Sequence, residues 1–201
     1  IGVFYTRRTD LSYVVNYLEQ DTGKVLATSK VVNNQTYLDE VVENAIDIFG
    51  YNKVNEQETI EIGVDNNVIN FYYTPRTDFS YTINYLDVEN DNVLHESKIV
   101  NNVVFGSTST ELPVEIDGYR PQSQQMEIIT LENNKIYNFY YQKRNDLSYR
   151  VEYYYDGIAD GSLTDIYENQ VFGTQIISYN EKNKVGYKKT SDTAPITIGT
   201  G

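Results

Sequence analysis

Few residues in this chain could carry covalent or metal chemistry. Cysteine is absent and there is one histidine, His95. A thiolate nucleophile, a disulfide and a multi-histidine metal site are therefore excluded. The charged and hydroxyl residues that stand out instead return at intervals of 68 residues: Arg8, Arg76 and Arg144; Asp10, Asp78 and Asp146; Ser12, Ser80 and Ser148. At such positions an Asp or Ser can cap a turn through its side chain, with Arg pairing across the junction. His95 has Ala27 and Leu163 at the matching positions, so it reads as a surface or packing residue. Carboxylates gather at Asp87-Val88-Glu89-Asn90-Asp91 and again between Asp156 and Asp160. Neither run places ligands at alternate positions before a bidentate Glu, so both read as solvated hairpin turns and no metal or cofactor is expected. Nothing fixes the carboxylate separation that glycoside hydrolysis requires, and no nucleophile–base pair is apparent, so no enzymatic activity is expected. The remaining candidates are aromatic. Tyr51, Tyr119 and Tyr187 each follow a glycine, and each could project toward a ligand or plug the core.

The elements that position these residues form a repeat. Asp10-Leu11-Ser12-Tyr13 returns as Asp78-Phe79-Ser80-Tyr81 and as Asp146-Leu147-Ser148-Tyr149. Gly50-Tyr51, Gly118-Tyr119 and Gly186-Tyr187 keep the same step, and Asn70-Phe71-Tyr72-Tyr73 returns as Asn138-Phe139-Tyr140-Tyr141. Residues 10–77 and 78–145 align without gaps at 25 of 68 positions. The boundaries that follow are 10–77 for repeat one, 78–145 for repeat two and 146–201 for a more divergent repeat three. Residues 1–9 match the closing strand and joint of a further copy upstream, and repeat three lacks the counterpart of its own closing strand. Ile1-Gly2-Val3-Phe4-Tyr5 aligns with Ile69 to Tyr73, so head-to-tail pairing of chain ends between molecules is expected, or else an undocked segment.

Within a unit the apolar period is two. Tyr13, Val15 and Tyr17 share one strand face, as do Tyr81, Ile83 and Tyr85, and Tyr149, Val151 and Tyr153. The opposite face varies from Val14 to Thr82 to Arg150 and from Asn16 to Asn84 to Glu152. A hairpin turn at Asp21-Thr22-Gly23 leads to a second strand over 24–32. A crossover over 33–49 places Leu38, Val41, Val42 and Ala45 at helical spacing, so a short or irregular helix is expected there. Strands are expected over 58–64 and 68–73, around a turn at Asn66-Asn67. The reading is α+β and strand-dominated, with one small domain per copy. The joints Tyr73 to Asp78 and Tyr141 to Asp146 are short and lack Gly/Ser runs, which implies restricted bending and an elongated rod.

Sixteen Lys and Arg against 29 Asp and Glu give a net charge of −13, with a pI near 4.4. That balance argues against nucleic acid or direct contact with an anionic membrane. The combined pattern is Ser-Tyr-x-x-Asn-Tyr-Leu, an Asp/Gly turn, Lys-Val-Leu, a Gly-Tyr about 30 residues on, and a closing Ile-Asn-Phe-Tyr-Tyr. It resembles the MucBP (mucin-binding protein) repeat of Gram-positive bacterial surface proteins, across residues 11–73 and 79–141 and in part beyond 147. The resemblance implies tandem β-grasp (ubiquitin-like) repeats of a cell-surface adhesin that attaches to host mucin or glycans. It also implies export and wall anchoring through signals outside these residues. The alternative is a stalk or spacer with no ligand of its own.

Overall fold

Alternation of aromatic and β-branched residues makes strand the dominant element throughout. The computed structural model describes residues 1–201. Copy one contributes β1 (Leu11–Glu19), β2 (Val25–Gln35), β3 (Glu40–Asn44), β4 (Tyr51–Lys53), β5 (Gln57–Glu61) and β6 (Val68–Pro75). Copy two repeats them as β7 (Phe79–Asp87), β8 (Val93–Val103), β9 (Thr108–Glu111), β10 (Tyr119–Pro121), β11 (Met126–Ile129) and β12 (Lys135–Lys143). The two four-stranded sheets have corresponding orders, β2-β1-β6-β4 and β8-β7-β12-β10. In the first, β1 is antiparallel to β2 and parallel to β6, with Val14 opposite Val68 and Leu18 opposite Tyr72. Copy three is more broken. Its β13 (Leu147–Val151) pairs with β16 (Asp165–Gln170), and the short pairs β14 (Tyr154–Tyr155) with β15 (Ile158–Ala159) and β17 (Gln175–Ile176) with β18 (Ile196–Thr197) complete it. One 3-10 turn, Gly161–Leu163, is the sole helical element.

The α+β expectation is corrected: the fold is all-strand. The crossover expected to be helical forms β3, which pairs antiparallel with β5. Its exposure alternates with period two, not 3.6. Val41 and Val42 favour an extended chain. Leu38 sits at φ +65°, which ends any helix before it starts. Val41 and Ile60 of this ribbon pack on the tyrosine face of the sheet, the place a helix would have covered.

By compactness the chain divides into two units. One comprises 1–81, 100–109 and 128–135; the other comprises 82–99, 110–127 and 136–201. In the first, Leu11, Tyr13, Val15 and Tyr17 pack with Ile69, Phe71 and Tyr73, all buried. The Tyr17 and Phe71 rings stack at 6.2 Å, and the Tyr73 hydroxyl donates to the Ile46 carbonyl at 2.9 Å. In the second, Tyr85 stacks on Phe139 at 6.2 Å, and the Tyr141 hydroxyl donates to the Val114 carbonyl at 2.9 Å. In copy three, the carbonyl at the matching position, Lys182, accepts from Tyr155 instead, also at 2.9 Å. Residues 1–10 join no sheet, and Ile1, Phe4 and Tyr5 are exposed.

One polar group of this core is strongly perturbed. The Tyr13 hydroxyl donates to Glu43, which also accepts from Lys30 at 2.6 Å. Burial, then the Glu43 carboxylate, pushes the Tyr13 phenol up to about 12. Burial alone would raise Glu43, but the Lys30 and Tyr13 hydrogen bonds together hold it below its ordinary value.

Two outcomes follow from this packing. Tyr85→Ala, removing a ring that is 2% exposed, is expected to destabilise the protein by about 3–5 kcal/mol in urea unfolding. A loss near zero would mean that the tyrosine face is not core. The stability supplied by the Tyr13 phenol is complete below its ordinary pKa of 10.0 and is lost as pH rises toward about 12, because the unfolded chain releases its proton first. That supplied by Glu43 is present above 4.5 and is lost as pH falls, because the unfolded chain takes up its proton first. Thermal unfolding across pH should show a shallower alkaline limb in Tyr13→Phe and a shallower acid limb in Glu43→Gln. Limbs that match the wild type would contradict this assignment.

Candidate functional site

The recurring residues converge at the two joints. Each Gly-Tyr lies in the same tight turn. Tyr51 N–H donates to the Ile48 carbonyl at 3.1 Å, Tyr119 to Ile116 at 3.1 Å and Tyr187 to Lys184 at 3.0 Å. The glycines sit at φ +82°, +75° and +87°, a region closed to most side chains. The tyrosine hydroxyls then reach back to the acidic end of the first hairpin of their own copy. Tyr51 donates to Glu19 at 3.1 Å, Tyr119 to Asp87 at 3.3 Å and Tyr187 to Asp156 at 2.8 Å. Burial followed by the carboxylate raises the pKa of Tyr51 and Tyr119, whereas for Tyr187 the Asp156 hydrogen bond leads. All three candidate ligand residues therefore hold the turn that follows the first strand of their copy, with each hydroxyl engaged inside the chain.

Within the first unit, the joint between copies one and two is built on Gly50. The Phe105 ring lies so close that a Cβ on Gly50 would stand 2.4 Å from it. Phe105 also meets Phe49, Tyr51 and Phe79 edge-on or tilted, at 5.7, 5.5 and 5.3 Å between centroids. Two backbone hydrogen bonds lace this cluster: Arg76 N–H to Gly50 O at 2.9 Å and Phe105 N–H to Arg76 O at 2.8 Å. The Arg76 guanidinium lies over Phe79 at 5.2 Å and forks onto Asp78 at 2.9 and 2.6 Å. Ser80 bonds to Asn134 through its hydroxyl at 2.6 Å and to Asn133 through its amide at 2.9 Å.

Within the second unit the same joint recurs. Phe172 seats on Gly118 and meets Tyr119 at 5.8 Å. Arg144 N–H donates to Gly118 O, and Phe172 N–H to Arg144 O, both at 2.8 Å. Arg144 forks onto Asp146 at 3.0 and 3.2 Å, and Arg120 adds a third bond to that carboxylate at 2.5 Å. The hydrogen bonds from Arg76 and Arg144 hold Asp78 and Asp146 below the ordinary carboxylate range. Arg8 makes the same fork onto Asp10, and its carbonyl accepts from Tyr37 at 2.9 Å. The Arg–Asp pairs are thus local forks two residues apart, and the backbone bonds and aromatic plugs join one copy to the next.

Open grooves flank both joints. One of about 470 Å³ is lined by Asp47, Phe49, Tyr51, Lys53 and Arg76. The other, of about 410 Å³, is lined by Arg144, Asp146, Ser148, Tyr149 and Ile196. Lys53 is neutralised by Asp47 and Glu56, at 2.8 and 3.1 Å. His95 lies elsewhere, edge-on to Tyr85 at 5.4 Å. No three His, Asp or Glu side chains gather closely enough to hold a metal ion.

Sequence reading missed the plugs. Phe105 and Phe172 are 67 residues apart, not 68, because copy three loses one residue before Phe172 and regains it before Ile198. Copy one carries Tyr37 at the corresponding position, where its N–H donates to the Arg8 carbonyl. A search for aromatics with one residue of slack would have found the set.

No protein-family model matches the chain. No curated protein matches it either. Among solved structures it is similar to Mub-RV at 15% identity, covering 66% of this chain and 98% of that one, with a TM-score of 0.25. It is also similar to the type 2 repeat of the mucus binding protein MUB from Lactobacillus reuteri, at 9% identity, 66% and 98% coverage and a TM-score of 0.26. A streptococcal ancillary pilin shares 9% identity over 96% of both chains, with a TM-score of 0.30.

The glycine seat gives a direct test. Gly50→Ala should cost about 1–2 kcal/mol for the left-handed backbone alone, and more because Phe105 must move. In a Phe105→Ala background the cost of Gly50→Ala should fall to the backbone part, a non-additivity readable in denaturant unfolding. Additive losses would show that ring and glycine do not interact.

Proposed function

We propose that this chain is the repeat region of a bacterial cell-surface adhesin, a non-enzymatic tandem array that holds itself away from the cell wall and contributes to attachment to host mucin or glycoconjugates. The observation that supports it is the joint, built twice from a glycine seat, an aromatic plug, an arginine fork and two backbone bonds. Such joints resist bending, as an array that projects a binding surface requires. In this reading each copy is a β-grasp sheet whose helix is replaced by the β3–β5 type of ribbon. A net charge of −13 favours solubility and mutual repulsion of copies, and disfavours nucleic acid as a partner. Export and wall anchoring come from regions outside these residues.

One observation favours the second reading, a spacer without a ligand: the hydroxyls of Tyr51, Tyr119 and Tyr187 are all engaged by carboxylates of their own chain. Capture of the 201-residue chain on immobilised mucin separates the two readings. Saturable capture is expected. Silence on mucin and on a glycan panel, with extended solution scattering, would leave only the spacer.

A further inference from the structure

The sheet face turned away from the core differs from the rest of this acidic surface. In copy one, three rows cross β2, β1 and β6. Val31, Val14 and Val68 form an apolar row, as the strand registers show. Next to it, the Ser29 hydroxyl donates to Asn16 Oδ1 at 2.7 Å, and Asn16 Nδ2 donates to Asn70 Oδ1 at 2.9 Å. Beyond this amide row lie Val25, Leu18 and Tyr72. Val25, Val31, Val68 and Tyr72 are exposed, and none of the three rows contains a charged side chain.

Copy two rebuilds the face. Ser97 donates to Asn84 at 2.7 Å, Asn84 to Asn138 at 3.2 Å, and Asn138 to the Tyr140 hydroxyl at 3.4 Å. Val93, Ile99, Ile136 and Tyr140 are the exposed apolar residues around it. Copy three abandons the pattern. The positions of Thr82 and Asn84 are taken by Arg150 and Glu152, which form an ion pair at 3.0 Å.

We infer that this face in copies one and two is a binding platform for a neutral oligosaccharide. Three observations choose the ligand. At the usual strand spacings the rows span about 10 Å across the strands and about 13 Å along them. That is far below the roughly 800 Å² per partner of a stable protein interface, and it suits a few linked pyranose rings. The face is uncharged on a chain of net charge −13, which repels a second copy and anionic glycans alike. Each central asparagine spends one N–H and one lone pair within its row, leaving one of each for sugar hydroxyls. The flanking apolar rows and the Tyr72 and Tyr140 rings meet the C–H faces of the sugar.

The inference rests on the adhesin reading for its biological role but not for its chemistry, and the test separates them. The probes are chitotriose, maltotriose, N-acetyllactosamine and the sialylated form of the last, added to the isotopically labelled 201-residue chain. Mucin capture is measured in parallel. At least one neutral probe should shift the side-chain amides of Asn16, Asn70, Asn84 and Asn138, leaving Arg150 and Glu152 unmoved. The sialylated form should bind at least tenfold more weakly than its neutral parent. Asn16→Asp with Asn84→Asp should weaken saccharide binding at least tenfold. Val25→Lys with Val93→Lys, at exposed positions that tolerate charge, should do the same with unchanged thermal unfolding. Shifts that map elsewhere, no shift with any probe, or equal binding of the sialylated form would overturn the platform. Saccharide binding that survives both variants, with mucin capture intact, would overturn the platform and leave the adhesin reading standing. Saccharide shifts on this face without mucin capture would uphold the platform and remove the adhesin reading.

Discussion

The parallel pairing of the first and last strands of a copy is the constraint on which the rest depends. With β1 and β6 side by side at the centre of the sheet, everything between them must leave and return as one long crossover. That loop is costly to close. Burial of Tyr13, Val15 and Tyr17 against Phe71 and Tyr73 offsets the cost, because parallel neighbours in register stack their rings on one side. The alternation that places these rings inside also fixes Val14, Asn16 and Leu18 outside. A single register thus defines both the core and the uncharged face.

The same pairing creates the joints. The closing strand ends at Pro75, and the first strand of the next copy begins at Phe79, so little chain lies between them. Arg76 spans that gap with its carbonyl bonded forward to Phe105 and its amide bonded back to Gly50. Glycine is required where Phe105 lands, since any Cβ would occupy the ring's space and the backbone is already left-handed. The Gly-Tyr pair therefore has two roles in adjacent residues: the glycine receives the next copy, and the tyrosine ties its own copy's turn through Glu19 or Asp87.

Much of this was legible in the residues. The 68-residue step, the inward tyrosines of β1 and β7 and the turn at Asn66 all rest on local pattern, and local pattern is what a sequence displays. The crossover was not legible, because Leu38, Val41, Val42 and Ala45 fit helical spacing as well as they fit a ribbon. Pairing with β5, a distant segment, decided between them. Long-range choice also hid the plugs, since Phe172 slipped by one residue, and the carboxylate partners of the tyrosines lie some thirty residues upstream. The amide row was visible as the recurrence of Asn16 and Asn70 at Asn84 and Asn138. Only the strand register showed that they are neighbours.

The central claim is that the copies are joined by built interfaces and not by free linkers. Amide hydrogen exchange on the intact chain addresses it most directly, at the amides of Arg76, Phe105, Arg144 and Phe172. Each donates to a carbonyl across or beside a joint, at 2.8 to 2.9 Å. The account predicts slow exchange there, comparable to central amides such as those of Val15 and Phe71. Exchange at the rate of an unprotected chain, with the strands still protected, would contradict it.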